Sequence, residues 1–205
     1  MFPVRDVVER KTFPYVNLAL IGINVIVFLW SLSDFEGIIY RFGFIPADWS
    51  YLTAFTCMFL HGGIDHIFGN MWFLFIFGDN VEDCIGHWKY LIFYLAAGLI
   101  ATYVNYITDP FSLIPVVGAS GAISGVMGAY VIMFPRAKVH TFLGFYLTIL
   151  PAFVMIGFWF LLQLFFGAYS FLGGVGSGIA YFAHIGGFVA GMIVGIFYKV
   201  TKCRR

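Results

Sequence analysis

The sequence predicts an all-α polytopic membrane protein, built as a bundle of six transmembrane helices with a short central fourth helix. Hydrophobic residues make up 61% of the 205 residues and charged residues only 10%, which makes a water-soluble surface hard to build. Apolar runs of about 20 residues recur, and helices of that length cross the hydrocarbon core of a bilayer. No internal repeat or linker divides the chain, so residues 1–205 are predicted to form a single transmembrane domain.

Six spans follow from the apolar runs and from the residues that interrupt them. They are Tyr15–Leu32, Ile67–Val81, Trp88–Ile107, Ser120–Phe134, Phe145–Phe166 and Ile179–Val200. The first span is predicted to be a retained helix rather than a signal peptide, because no small-residue cleavage site follows it. Pro151 lies inside the fifth span, where a proline can kink a helix.

The basic residues set the predicted orientation, because cytoplasmic segments carry an excess of lysine and arginine. With the N-terminus inside, ten of the eleven basic residues lie on the inner side and only Arg41 lies on the outer side. Both termini are therefore predicted to be cytoplasmic. The net charge of +1 supplies no basic face for a nucleic acid.

Three connecting segments stand out. The outer loop Ser33–Asp65 is long and aromatic, and four of its residues suit the headgroup boundary of the membrane, namely Trp49, Tyr51, Phe55 and Phe59. The inner segment Gly78–Asp83 is acidic and is interpreted as a solvated cap. The outer loop Gly167–Gly178 is rich in glycine, which is compatible with a lid or with a plain connector.

The candidate nucleophile is Ser120, which lies between small residues at the start of the fourth span. The first backbone N–H groups of a helix have no partner within it, and together with the helix dipole they suit a developing oxyanion. The fourth span has only 15 residues. It would measure roughly 22 Å against about 30 Å of hydrocarbon. Its outer end would then lie below the membrane surface, in a water-filled pocket.

The candidate base is His184, which enters the sixth span at a depth similar to that of Ser120. Small residues recur at every fourth position on both spans, as Gly121, Gly125 and Ala129 and as Gly187, Gly191 and Gly195. Faces of this kind let helix backbones approach closely, which would bring His184 within hydrogen-bonding reach of Ser120. A packing or proton-relay role for His184 is the alternative.

His66 and Asn70 are four residues apart and share one face of the second span. Polar groups at membrane depth usually face the protein interior, although simple interhelical hydrogen bonding explains such a pair equally well. The pattern H-E-x-x-H of zinc proteases is absent, and Cys57, Cys84 and Cys203 lack metal-like spacing. No metal and no cofactor are predicted.

Taken together, these motifs resemble the rhomboid family of intramembrane serine proteases over nearly the whole chain. The residues that carry the resemblance are His66-x-x-x-Asn70, Gly118-Ala119-Ser120-Gly121 and Ala183-His184-x-x-Gly187-x-x-x-Gly191, with Phe59-Leu60-His61-Gly62-Gly63, Phe77-Gly78 and Glu82 in connecting segments. The three motifs occur in the family's order on the expected spans.

The resemblance implies the roles of the site residues. Ser120 would be the nucleophile and His184 the general base and later the general acid. His66, Asn70 and the backbone N–H of Ser120 would hold the oxyanion, with Gly121 beside them in the binding set. The substrates would be transmembrane segments of membrane proteins, reached laterally from the bilayer. With no appended domain, the chain resembles a prokaryotic-type member of the plasma membrane.

Two positions differ from the family pattern. Some members carry an aromatic residue four positions after the nucleophile, where it packs against the base, but this chain has Ser124 there. Tyr181 and other aromatic residues are alternative supports for His184. Many members also carry a Trp-Arg pair in the first outer loop, whereas Trp49 is followed by Ser50.

Two other functions compete with proteolysis. A non-catalytic protein of the same fold could bind transmembrane clients, but loss of Ser120 or His184 would be its expected signature. A small transporter with a polar path would show internal symmetry between its halves, and the sequence shows none. The identity of the substrate and the oligomeric state stay open at this point.

Overall fold

The computed structural model describes residues 1–173 and 178–201, and most of these residues are helical. The α-helices in this part of the chain are α1 (Tyr15–Ser31), α2 (Phe35–Phe42), α3 (Tyr51–Thr56), α4 (Ile64–Ile85), α5 (His87–Thr108), α6 (Ser120–Met133), α7 (Ala152–Phe171) and α8 (Tyr181–Thr201). The β-strands are β1 (Phe2–Asp6), β2 (Lys138–Leu143) and β3 (Tyr146–Pro151).

Each of the six predicted spans corresponds to a helix, namely α1, α4, α5, α6, α7 or α8. Among the described residues, α5, α7 and residues Tyr181–Lys199 of α8 are long and apolar enough to cross a membrane. α1 and α6 are shorter apolar helices. The 14 residues of α6 correspond to about 21 Å, which is less than the thickness of the hydrocarbon core.

The helix α6 lies at the centre of the bundle and is buried along most of its length. A side chain at Gly187 or Gly191 would overlap the carbonyl oxygen of Gly121 or Gly125, respectively. The predicted packing of the two small-residue faces is therefore confirmed, and α6 and α8 touch backbone to backbone.

The fold is mostly helical as predicted, but a small antiparallel sheet with strand order β1-β2-β3 adds strands that the all-α prediction does not include. The fifth span is predicted to begin at Phe145, whereas α7 begins at Ala152. Gly144, with φ of +59°, forms the turn between β2 and β3, and Pro151 precedes α7 instead of kinking it. The apolar run is continuous through this region, and apolar character alone does not distinguish a strand from a helix.

The interpretation of segment 78–83 as a solvated cap is also wrong, because the segment lies within α4 and packs against α1. Glu82 is fully buried and accepts hydrogen bonds from the backbone N–H groups of Val16 at 3.0 Å and Asn17 at 2.7 Å. The α1 helix has no side-chain cap of its own at this end. Glu82 therefore caps α1 from a neighbouring helix, where its charge also complements the helix dipole.

The predicted outer loop contains α2 and α3, and Trp49 lies between these two helices. Trp49 packs edge-on against Phe44, with ring centroids 5.2 Å apart, and against Tyr106, at 4.6 Å. Trp49 thus joins the loop to α5. In the predicted loop Gly167–Gly178, residues 167–171 belong to α7, and residues 174–177 lie outside the described residues.

Candidate active site

Ser120 is the first residue of α6, and the chain just before it is held in place by backbone hydrogen bonds. Gly118 donates its N–H to the carbonyl oxygen of Cys57 at 2.9 Å, and Val116 exchanges two backbone hydrogen bonds with Phe44. Gly118 has φ of +130°, a conformation that glycine adopts without strain. The segment can therefore turn sharply and present Ser120 at the helix start, next to free N–H groups.

Ser120 and His184 lie within hydrogen-bonding distance of each other. The hydroxyl Oγ of Ser120 is 2.8 Å from Nε2 of His184, and both residues are partly exposed. The close approach of α6 and α8 at Gly121, the next residue of α6, and Gly187, about one turn along α8, supports this distance. A serine hydroxyl beside an imidazole nitrogen is the pairing that nucleophilic catalysis by serine requires.

The other ring nitrogen of His184 contacts Gln163, a residue that the sequence analysis did not single out. Nδ1 of His184 is 2.8 Å from Oε1 of Gln163 on α7. The ring of Trp159 lies beside the imidazole, with a centroid distance of 5.9 Å. Gln163 is the single glutamine of the chain and interrupts an otherwise apolar run, which is the signal that could have identified it.

Ser124 and Tyr181 contact other groups. The Ser124 hydroxyl donates to the backbone carbonyl oxygen of Ser120 at 2.6 Å, within α6. The Tyr181 ring stacks on Phe166 with centroids 5.9 Å apart. The aromatic ring beside the imidazole is therefore that of Trp159.

His66 packs over Gly118, directly beside the serine. A Cβ atom at position 118 would lie 2.8 Å from Nε2 of His66 and 3.4 Å from Oγ of Ser120, so glycine is needed for this approach. The backbone N–H of Gly62 donates to Nδ1 of His66 at 3.3 Å. In the neutral imidazole the proton must then reside on Nε2, the nitrogen that lies next to Gly118.

Asn70 lies one turn further along α4 and is largely buried. Its amide donates to the carbonyl oxygen of His66 at 3.0 Å, which leaves a second amide hydrogen for another acceptor. His61 is fully buried beneath His66, with ring centroids 5.2 Å apart. The structure thus gathers Ser120, His184 and His66 at one place, and Asn70 is linked to them through the backbone of His66.

Gly121 serves as a contact point between helices. A Cβ atom there would come within 2.5 Å of the Cβ atom of Ala101 on α5. Its backbone N–H belongs to the first turn of α6 and has no partner within the helix. Within the described residues, histidine, cysteine and carboxylate side chains form no group of three or more that could hold a metal ion.

The fold and this cluster define a multi-pass membrane protein with a serine–histidine pair at the start of a short buried helix. Residues 48–200 match the family model of the Rhomboid domain. The chain therefore belongs to the rhomboid family. Membership in this family supports an intramembrane protease type of function.

Three relatives give the range of similarity. YdcA, a rhomboid-family protein of Bacillus subtilis, is 34% identical over 94 residues, which cover 46% of each chain. Rhomboid protein 1, mitochondrial, of Saccharomyces cerevisiae is 31% identical over 141 residues, covering 64% of this chain and 40% of the relative. Rhomboid protease GluP of Bacillus subtilis is 38% identical over 81 residues, covering 40% and 15%. The chain spans less than half the length of each of these relatives.

Proposed function

We propose that the protein is an intramembrane serine endopeptidase that cleaves peptide bonds in or near transmembrane segments of membrane-protein substrates with a Ser120–His184 dyad. The observation that carries the proposal is the 2.8 Å contact between the serine hydroxyl and the imidazole at the start of α6. Family membership supports the same reaction class.

In the first half of the reaction, Oγ of Ser120 attacks the carbonyl carbon of the scissile peptide bond while Nε2 of His184 takes the hydroxyl proton. The tetrahedral intermediate collapses as His184 returns that proton to the leaving amine. Water then attacks the acyl-enzyme with His184 again acting as the base, and the serine is released.

The oxyanion of the tetrahedral intermediate needs donors that are already in place. The proposed donors are the backbone N–H groups of Ser120 and Gly121, Nε2–H of His66 and the second amide hydrogen of Asn70. The tautomer of His66 supports this role, because Gly62 occupies Nδ1 and leaves the proton on Nε2.

The proposed membrane arrangement places the six helices α1 and α4–α8 across the bilayer as one domain of residues 1–205. The short α6 supports a site below the outer surface, reached by water from outside and by substrates laterally. The distribution of basic residues supports cytoplasmic termini, and the bacterial relatives support the plasma membrane.

A serine-reactive fluorophosphonate probe tests the dyad without knowledge of the natural substrate. We expect the purified protein, in detergent and in a bilayer, to be labelled covalently. Ser120→Ala and His184→Ala should lose labelling and should cleave a transmembrane-segment substrate at least about 10⁴-fold more slowly. Both variants should keep the thermal stability of the wild-type protein.

Ser124→Ala is the matched control, because Ser124 lies one turn away on the same helix and its hydroxyl bonds to a backbone carbonyl. This variant should be labelled like the wild type. Full turnover by Ser120→Ala or by His184→Ala would refute the dyad. A folded wild-type protein that is never labelled would favour the non-catalytic binding of transmembrane clients.

A further inference from the structure

The buried amide of Gln163 lies against the proposed base. Gln163 is only 9% exposed. Its Oε1 atom is 2.8 Å from Nδ1 of His184, and its Nε2 atom is 3.5 Å from the carbonyl oxygen of Trp159, one turn earlier on α7. Buried polar side chains in an apolar helix usually have a specific partner, and here the partner is the imidazole.

The hydrogen-bond network determines the orientation of the amide. With Oε1 toward His184, the NH2 group faces the carbonyl oxygen of Trp159. In the reversed orientation, two oxygen atoms would face each other near 3.5 Å, which is electrostatically unfavourable. Gln163 therefore presents an acceptor, not a donor, to Nδ1 of His184.

This acceptor selects the tautomer of the imidazole. When Nδ1 carries the proton and donates to Oε1, the lone pair of Nε2 points at the hydroxyl of Ser120. The other tautomer would place a lone pair against the Gln163 oxygen and a proton against the serine. Only the first tautomer can remove the proton of the nucleophile.

The same contacts fix the plane of the ring. His184 is held at Nδ1 by Gln163, at Nε2 by Ser120 and on one side by the Trp159 ring, whose centroid is 5.9 Å away. Gln163 and Trp159 are four residues apart and share one face of α7. Residues of α7 thus support the imidazole of His184, whereas Ser124 of α6 does not contact it.

We propose that Gln163 is a positioning residue that holds His184 in the reactive tautomer, so that the catalytic unit is Ser120–His184–Gln163. The proposal rests on the protease function stated above. A neutral amide suits this place, because an ionised carboxylate within a membrane helix is costly, whereas an amide oxygen supplies the acceptor without a full charge.

The test compares Gln163→Met, which keeps the size of the side chain but removes the acceptor, with Gln163→Glu, which keeps an acceptor oxygen. We expect Gln163→Met to lower kcat by about 10- to 100-fold, as for a hydrogen bond to a charged group, with KM changed less than about twofold. Gln163→Glu keeps an acceptor oxygen for Nδ1 of His184 but carries the cost of a buried carboxylate, so its kcat should lie between those of Gln163→Met and the wild type. The neighbouring, exposed Leu164 provides the control variant Leu164→Met, which should behave like the wild type.

A second measurement reads the tautomer directly. Nitrogen NMR shifts of histidine-labelled protein, assigned by comparison with His184→Ala, should show Nδ1 of His184 protonated in the wild type and a mixture of tautomers in Gln163→Met. This readout needs no turnover and is independent of any change in substrate affinity.

The outcomes separate the two proposals. If the wild type cleaves substrate but Gln163→Met keeps full kcat or keeps the Nδ1 proton, the positioning role is refuted while the protease function stands. A Gln163→Met variant that only raises KM or only loses stability also refutes it, because the residue would then serve packing. A wild type that neither reacts with the probe nor cleaves overturns both proposals.

Discussion

The two ends of the helix bundle use buried polar groups in opposite ways. At the Ser120 end, which comprises Ser120, His184, His66 and Asn70, the side chains are partly exposed or keep unused hydrogen-bonding groups. At the Glu82 end, which comprises Glu82, the β-sheet and the segment before α1, the carboxylates are surrounded by donors. Both ends are polar, but only the first has capacity left for a substrate.

The Glu82 end illustrates how completely such groups can be satisfied. Glu82 accepts two backbone N–H groups of α1 and lies 2.5 Å from Nδ1 of His87. Asp83 accepts the N–H of Lys11 and both the N–H and the hydroxyl of Thr12. These contacts join the N-terminal segment to α4, so this end stabilises the fold.

Because the two ends differ in this way, polar residues in a membrane protein cannot be assigned to function from their type alone. A buried carboxylate that already accepts hydrogen bonds on both oxygens, as Glu82 does, has little remaining capacity for catalysis. A histidine whose Nε2–H faces an open position can stabilise charge that develops during a reaction. The comparison predicts that substitutions at the two ends affect different properties.

The largest difference between the two ends is expected in the stability of Glu82→Ala. This change leaves two buried N–H groups of α1 without a partner, and loss of one partner of a buried charged contact typically destabilises by about 3–5 kcal/mol. Thermal or denaturant unfolding in detergent should show that loss, while the labelling rate of the protein that remains folded stays unchanged. His87→Ala, which keeps both backbone contacts, should be less destabilised. Wild-type stability in Glu82→Ala would contradict the capping role.

A smaller effect, on catalysis alone, is expected at the other end for His66→Ala and Asn70→Ala. Removal of one oxyanion donor typically lowers kcat by about 10²–10³-fold, and neither variant should resemble Glu82→Ala in its unfolding. Kinetics on a transmembrane-segment substrate, with thermal unfolding in parallel, separate the two properties. Wild-type rates in both variants would refute the oxyanion assignment.

The smallest expected effect concerns Asp6, which lies in β1 outside the membrane-spanning helices. Burial raises the pKa of its carboxyl group from 3.8 to about 6, and the neighbouring Asp79 adds to the rise, although the Tyr130 hydroxyl that donates to Asp6 opposes it. Because the folded protein binds this proton more tightly than the unfolded chain, the stabilisation is fully present below about pH 4 and is lost as the pH rises through about 6.

Asp6→Asn removes this titration and should therefore lack the corresponding pH dependence. We expect the stability of the wild type, relative to Asp6→Asn, to decrease as the pH is raised between about 4 and 6. Thermal unfolding of both proteins across this range measures the difference. If the difference in stability between the two proteins stays constant with pH, Asp6 does not have the raised pKa described above.

Much of the helical part of the fold could be predicted because it depends on local patterns. Apolar runs located α1, α5 and α8 to within a few residues, and the repeated small residues on α6 and α8 predicted which faces meet. The catalytic roles of Ser120 and His184 stay predictions, but their contact follows from those faces. In each case the sequence signal is an apolar run within one segment or a residue spacing that two segments share.

The rest depended on pairings between distant segments. Strand β1 binds β2 more than 130 residues later, and the run around Phe145 is apolar enough to pass for a helix. Glu82 was interpreted as a surface residue. Its partners are backbone N–H groups of α1, and backbone groups leave no signal in the sequence. Gln163 looked like one polar residue in an apolar span until α7 was placed beside α8.

Hydropathy and small-residue spacing act locally. They were therefore sufficient to predict the class of protein, the positions of most helices and the two residues of the candidate dyad. The use of the remaining polar groups depends on how the helices pack. Hydrogen bonds depend on distance and direction between groups on different elements, so the cap by Glu82, the tautomer of His66 and the contact between Gln163 and His184 exist only once the helices are packed.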